Sequence, residues 1–331
     1  MANETSLTLS YAPLLTSTLF NYLDSGSFTD NFFDATPTLG WYQSGERQRL
    51  QSGGERISVA IMHEANNTAQ SYEGTEVLDT SESTGFTRAF LSWKLYSVSI
   101  VISGDEMTSN MGEAELFNLL EAKTGQAELS LANLVSTDLF SANADGAAGI
   151  TGLQSQVDST PTAGTYAGIN RANNTAWQNQ TAVTVGAAAS NLLSNLRTQY
   201  NNCTQGKGGL GSKADGICTT QTVHEAFEAL MFPFLQYTGS SSADNSVNAG
   251  LSNLRYKNAS VWWDADVPSG FLYILNGMHT FWVVHRDRNF AMAEGGFQKP
   301  VNQDALVTQV LLKANLASNA VKKLGVLTGI T

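Results

Sequence analysis

Two stretches of alternating side chains constrain this chain more than anything else in it: "RISVAIMH" at 56–63 and "FLSWKLYSVSIVI" at 90–102. In the first, Ile57, Val59 and Ile61 alternate with other residues. In the second, Leu91, Trp93 and Leu95 do so, followed by Val98, Ile100 and Ile102. A period of two is the signature of a half-buried strand. Between the stretches runs "EANNTAQSYEGTEVLDTSESTGFTRA", a long polar excursion broken by one short apolar pair, Val77 and Leu78. Two strands joined in this way make a projecting hairpin. A two-stranded sheet is marginal in water by itself, so the hairpin needs a surface to lie on. The competing reading is an unstructured insertion.

The clearest helix is "GEAELFNLLEAKTGQAELSLANLVSTDLF" at 112–140, with Leu116, Leu119, Leu120, Lys123, Ala127, Leu131, Leu134 and Val135 at spacings of three and four. Glu113 and Glu115 occupy its first turn, where the helix dipole favours them. Such a helix spans roughly 30–40 Å, long for a compact domain. Residues 1–45 carry few periodic signals, and 25–54 is turn-rich and reads as extended, a kind of segment that is ordered where a neighbour holds it. Further along, 187–202 reads as a helix and 216–220 as a short strand. A helix follows at 222–237, opened by a Thr222/Glu225 capping box. Residues 239–253 read as a loop, and strands are expected at 259–263, 271–276 and 280–285. Residues 305–330 read as two adjacent strands broken by "NLASNA". The fold class is α+β.

Charge is scarce: 14% of residues are Asp, Glu, Lys or Arg, against roughly 25% in an average domain. Charge depletion marks the centres of protein–protein interfaces; a low-charge enzyme is the alternative. The net charge of −11 argues against a surface built to grip phosphates throughout, although an acidic body can contain nucleic acid without binding it. Cys203 and Cys218 make neither a disulfide framework nor a four-ligand zinc site and read as free thiols. The N-terminus lacks the basic region of a secretory signal, and no apolar run reaches the ~18 residues of a membrane span. A soluble chain made in the cytoplasm is expected.

Chemistry is hard to find. There is no G-x-S-x-G and no H-E-x-x-H, and His63, His224, His279 and His285 are scattered. "GKGGLG" matches G-x-G-x-x-G through Gly206, Gly208 and Gly211. A dinucleotide site needs a strand before and a helix after, and here the order is reversed. Asp264 and Asp266 in "WWDADVP" read as an Asx turn before Pro268 rather than a cation site. "HRDRNF" at 285–290 reads as charges for ion pairs between chains. No catalytic, cofactor-binding or metal-ligating residue is expected.

Several segments, taken in order, resemble the major capsid proteins of tailed bacteriophages, whose fold is named after phage Hong Kong 97. They are "FLSWKLYSVSIVISGDE" at 90–106, "GEAELFNLLEAKTGQAELSL" at 112–131, "GINRANNTAWQNQ" at 168–180 and "ICTTQTVHEAFEAL" at 217–230. "NLRYKNASVWWDADVPSGFLYILN" at 253–276, "HRDRNF" and "VNQDALVTQVLLKANLASNA" at 301–320 complete the series. The resemblance implies a Hong Kong 97-like capsid fold with an N-terminal arm at 1–45 and an extended loop with flanking strands at 57–102. It implies a peripheral domain at 103–144 and 283–331, containing a spine helix at 112–140, and an axial domain at 145–282.

The same resemblance implies a structural protein that forms homo-pentamers and homo-hexamers of an icosahedral shell. That shell would be assembled in the host cytoplasm around double-stranded DNA, with portal and scaffolding proteins and a decoration or cement protein as partners, and no membrane. Contacts between subunits are expected at Trp41, Tyr72, Val77, Leu78, Trp93, Arg171, Trp177, Arg286 and Arg288. Two alternatives stay open: an encapsulin-type nanocompartment shell protein, and a nucleotide-binding enzyme using "GKGGLG" with Asp264 or Asp266.

Overall fold

The computed structural model describes residues 36–109, 119–204, 213–231 and 254–331. The expected arm up to residue 35 and the "GKGGLG" segment lie outside them. In chain order, helix α1 (Pro37–Gln43) is followed by strands β1 (Gln48–Gln51), β2 (Arg56–Met62), β3 (Phe86–Ser92) and β4 (Lys94–Ser103). Next come helices α2 (Gly104–Ser109), α3 (Leu119–Leu139) and α4 (Leu153–Gln156), and strands β5 (Thr165–Tyr166), β6 (Ile169–Asn170) and β7 (Gln180–Ala182). Then follow α5 (Ala188–Thr204), β8 (Gly216–Thr219), α6 (Gln221–Met231), β9 (Arg255–Tyr256), β10 (Ala259–Trp263), β11 (Leu272–Leu275) and β12 (Thr280–His285). Strands β13 (Ala291–Met292), β14 (Ala305–Ser318) and β15 (Gly325–Leu327) end the chain. Strand β4 pairs with β14.

Four expectations need correction. Residues 37–43 are helical rather than extended: Pro37 occupies the first turn, where its missing N–H removes nothing and its fixed φ suits a helix. The alternating stretch 90–102 is two strands interrupted at Trp93. Helix α6 starts at Gln221, not Thr222, and Glu225 accepts a hydrogen bond from Gln221 Nε2 (2.9 Å) instead of closing a capping box. Residues 305–318 form one unbroken strand that runs through part of "NLASNA", and β15 belongs to a different sheet. The polar residues are absorbed because Asn315 is buried with its amide satisfied. Its Oδ1 accepts from Thr151 N (2.9 Å), and its Nδ2 donates to Ser92 O (2.7 Å). A buried amide with partners is cheap; one without them is not.

The chain divides into two compact units, one with residues 97–131 and 290–311, the other with 34–96, 132–289 and 312–331. In the first, β13 runs antiparallel to β14 with Ala291 opposite Leu311. Lys123 donates to Glu106 (2.6 Å) and to Val101 O (2.9 Å). In the second, a six-stranded sheet has the order β7-β15-β11-β8-β10-β9. Its centre, β8, is buried at all four positions, which explains why "GICT" shows no alternation. Helices α5 and α6 pack on this sheet through Leu192, Leu196, Tyr200, Val223 and Phe227, against Ile217, Leu272 and Ile274. Gly216 is required there, since a Cβ would lie 2.6 Å from the Trp262 ring.

A second sheet in the same unit places β12 between β1 (parallel) and β14 (antiparallel). Phe281 and Val283 of β12 face the hairpin formed by β2 and β3, whose Ile57, Val59, Ile61, Ala89 and Leu91 are buried with Tyr166, Trp177, Ala317 and Val321. The hairpin therefore has a surface to lie on, as its alternation requires. Leu91→Ala is expected to cost about 2–5 kcal/mol, and Phe86→Ser on the opposite face to stay within about 0.5 kcal/mol. Denaturant titration of both variants checks the contrast.

Candidate assembly surface

The hairpin has two unlike faces, and its register sorts them. Arg56 pairs with Ser92, Ser58 with Phe90, Ala60 with Arg88 and Met62 with Phe86. These residues point away from the core: all but the half-buried Ser92 are exposed, and Phe86 is 79% exposed. At its far end the hairpin closes through His63 N donating to Gly85 O (3.0 Å). A side chain at position 85 would put its Cβ 2.7 Å from Glu64 O, so glycine is needed where the two chains pass.

Beyond that point, residues 64–84 form an exposed loop held by local turns. Asn66 Oδ1 accepts from Thr68 N (2.9 Å) and Asp79 Oδ1 from Ser81 N (2.9 Å). The Ser81 hydrogen bonds hold the Asp79 carboxyl below its ordinary value. Val77 is 95% exposed, and Tyr72 and Leu78 are exposed beside it.

The base of the hairpin is fastened by polar contacts. Trp93 Nε1 donates to Gly54 O (2.9 Å), the ring meets His285 edge-on at 5.7 Å, and Lys313 Nζ lies 5.1 Å from its centre. Lys94 is buried and donates to Asp145 O and Ala147 O, so its amine is occupied within the chain. Arg286 and Arg288 are exposed at the turn after β12.

Two residues expected at subunit contacts point inward instead. Trp177 is 3% exposed; its indole N–H donates to Tyr166 O (3.1 Å) and its ring stacks on Tyr166 at 5.9 Å. Arg171 is 2% exposed and donates to Ser155 O (2.9 Å) and Gln156 O (2.6 Å), with Asp158 at 3.5 Å. Burial lowers its pKa, but the guanidinium keeps its carbonyl partners. The amides of 168–180 tie their own turns: Gln178 Nε2 donates to Arg171 O (2.8 Å) and Asn179 Nδ2 to Asp158 O (2.8 Å). Trp41 is half-buried between Trp262 (5.6 Å) and Arg47 (4.3 Å). Tyr72, Val77, Leu78, Arg286 and Arg288 are presented to solvent, and Trp93 is half-buried.

Sequence reasoning missed a polar pin that holds α1. Asp264 makes the expected Asx turn, with Oδ1 accepting from Asp266 N (3.1 Å). Its Oδ2 also accepts from Thr38 N (3.2 Å), 226 residues away. Thr38 Oγ1 accepts from Trp262 Nε1 (2.9 Å) and lies 3.1 Å from Cys218 Sγ. Only the Pro37 signal could have hinted at it. Asp266 accepts from Ser136 (2.7 Å) and Thr137 (3.1 Å). No group of three metal-capable side chains occurs among the described residues.

No family model and no curated protein matches this sequence. Solved structures do. The capsid asymmetric unit of cyanophage A-1(L) aligns over 92% of this chain and 95% of its own, at 17% identity and a TM-score of 0.66. The capsid of a native GTA particle, computed with C5 symmetry, aligns over 92% and 94%, at 11% identity and 0.62. The chain has the Hong Kong 97-like capsid fold. An encapsulin, the holo-SrpI complex from Synechococcus elongatus, shares this Hong Kong 97-like architecture over 96% and 95% at 8% identity, with a TM-score of 0.56. At such identities the likeness resides in the course of the backbone.

Two outcomes are expected. Burial pushes the Cys203 thiol up to about 12 and raises that of Cys218 as well. Native protein is therefore expected to leave both thiols unlabelled by a thiol reagent near neutral pH, and denatured protein to label both. Burial also raises the Asp264 pKa. Its contribution to stability is full below the unfolded value of about 3.9 and is lost as the pH rises through the raised folded value. Asp264→Asn loses one acceptor, so it is expected to be less stable by about 1 kcal/mol, yet to lose less stability than the parent between pH 4 and pH 7. Parallel pH profiles would refute this.

Proposed function

We propose that this chain is the major capsid protein of a tailed bacteriophage, self-assembling into the pentamers and hexamers of an icosahedral shell that encloses double-stranded DNA. The observation that carries this reading is the hairpin: a two-stranded sheet buried on one face, bare on the other, and ending in an exposed loop, on a backbone that follows phage capsid structures over 92% of its length. A monomer gains nothing from such a projection. In a shell, the bare face and the loop are covered by neighbouring copies, and many modest contacts repeated by symmetry sum to a stable particle. The low charge fraction suits that role, because neutral polar groups are cheaper to desolvate than ions.

In this reading residues 1–45 are the arm, 57–102 the extended loop with its strands, 103–144 with 283–331 the peripheral domain and 145–282 the axial domain. Tyr72, Val77, Leu78, Arg286 and Arg288 are the subunit-contact residues that the fold leaves exposed. Portal, scaffolding and decoration proteins are the partners, and host cytoplasm is the site of assembly. An encapsulin-type shell is the second reading, favoured by the match to the Synechococcus elongatus encapsulin over 96% of this chain. A co-purifying enzyme cargo would decide for it.

Expressed alone and with the scaffolding candidate of its own genome, the chain is expected to elute far above its 35.5 kDa and to show shells, capsomers or tubes by negative-stain microscopy. A well-behaved monomer under both conditions overturns the capsid and encapsulin readings together.

A further inference from the structure

A cavity of about 500 Å³ opens where the end of α5 meets the turn between β9 and β10. Tyr200, Asn201, Thr204, Lys213, Lys257 and Asn258 line it. The lining holds two ammonium groups and no carboxylate, in a chain with 29 acidic residues against 18 basic ones. Among the described residues, neither lysine takes part in an ion pair. Asp215, an acid whose charge is felt at Tyr200, is answered elsewhere: it accepts from Arg47 Nη2 (2.9 Å) and Gly277 N (2.8 Å).

Lys257 is also held in a costly conformation. It is the first residue of the two-residue β9–β10 turn, with φ at 53°. Glycine is the easy choice there, so a lysine at that position points to use of its side chain. The ammonium lies 4.8 Å from the centre of the Tyr200 ring and 5.7 Å from that of Tyr256. It donates to Asn201 Oδ1 (2.7 Å). That bond uses one of its three N–H donors.

The bland account is that the cations answer the negative end of α5, which has no basic residue in its last turn. Magnitudes decide against it as the whole account. The helix end amounts to roughly half a negative charge, whereas two lysines bring two positive ones, so a surplus of about one and a half remains.

We propose that this cavity is an oxyanion site that takes a phosphate group. Lys213 and Lys257 supply the charge, and the side-chain amides of Asn201 and Asn258 supply neutral donors. Lysine meets phosphate as a compact point charge. The volume falls in the range of small-molecule sites, so the group can belong to a free ion or to a nucleic-acid backbone. The site goes beyond the assembly reading and does not rest on it.

Equilibrium dialysis of the purified protein against millimolar radiolabelled inorganic phosphate, at constant chloride, is expected to show one phosphate per chain. Lys213→Gln with Lys257→Gln is expected to weaken binding about tenfold or more. Lys257→Gly removes one charge at a φ that glycine adopts freely, so it tests the site in a turn that keeps its backbone; it too is expected to weaken binding. Replacing chloride by phosphate at equal ionic strength is expected to raise the unfolding midpoint of the parent by about 2–4 °C, and that of the double variant not at all. No retained phosphate, or equal retention by parent and variants, overturns the site. So does a loss of stability in the double variant with no phosphate dependence in the parent, which assigns the lysines to the helix end alone. A short DNA duplex added at equal phosphate concentration then sorts the source. Displacement names the nucleic-acid backbone, retention names the free ion, and either result upholds the site.

Discussion

A two-stranded sheet has two faces and cannot stabilise itself in water. Here the inner face is resolved within the chain: Ile57, Val59, Ile61 and Leu91 are buried with Phe281, Val283, Ala317 and Val321. Strands β12 and β14 form the platform, and Tyr166 with Trp177 closes the side of the cluster. The outer face is left bare. That imbalance ties the fold to its proposed use, because a shell subunit must fold by itself and still retain surface to bury on a neighbour.

The interior is assembled with few ions. Asn315 joins the backbone at Thr151 to that at Ser92, Thr38 is held between Asp264, Cys218 and Trp262, and Tyr42 meets Thr280, which reaches Gln156 (3.3 Å). Neutral hydrogen bonds of this kind contribute modestly when formed and cost more when broken. They also explain how a chain with 14% charged residues places its parts uniquely. Apart from a few buried ions such as Arg171, Lys94 and Asp264, charge lies at the surface, where the loop is acidic and the hairpin's outer face carries Arg56 and Arg88.

Much of the local structure was legible. Alternation located β2, and three- and four-residue spacings located part of the apolar face of α3: Ala127, Leu131 and Val135 are buried, whereas Leu134, read onto the same face, is 49% exposed. Short apolar runs located β8, β10, β11 and β12 but not which strands they pair with. The failures share a cause. A tryptophan or arginine in a polar, amide-rich stretch looks the same whether its cover comes from its own chain or another, so Trp177 and Arg171 were expected at subunit contacts and lie instead in the interior. The helix at Pro37–Gln43 was read as extended because seven residues carry little periodicity, and long-range bonds to Asp264 and Thr280 hold it.

The sequence by itself determined that a hairpin with one apolar face must exist and that its loop would be polar and exposed, because alternation is a property of neighbouring residues. Only the tertiary structure decided which surface that face lies on, which aromatic residues stay inside, and that Arg56 and Arg88 share the outer face with Met62, Phe86 and Phe90. Those outcomes depend on strand register and on contacts between residues up to 238 positions apart, and a linear pattern carries no record of either.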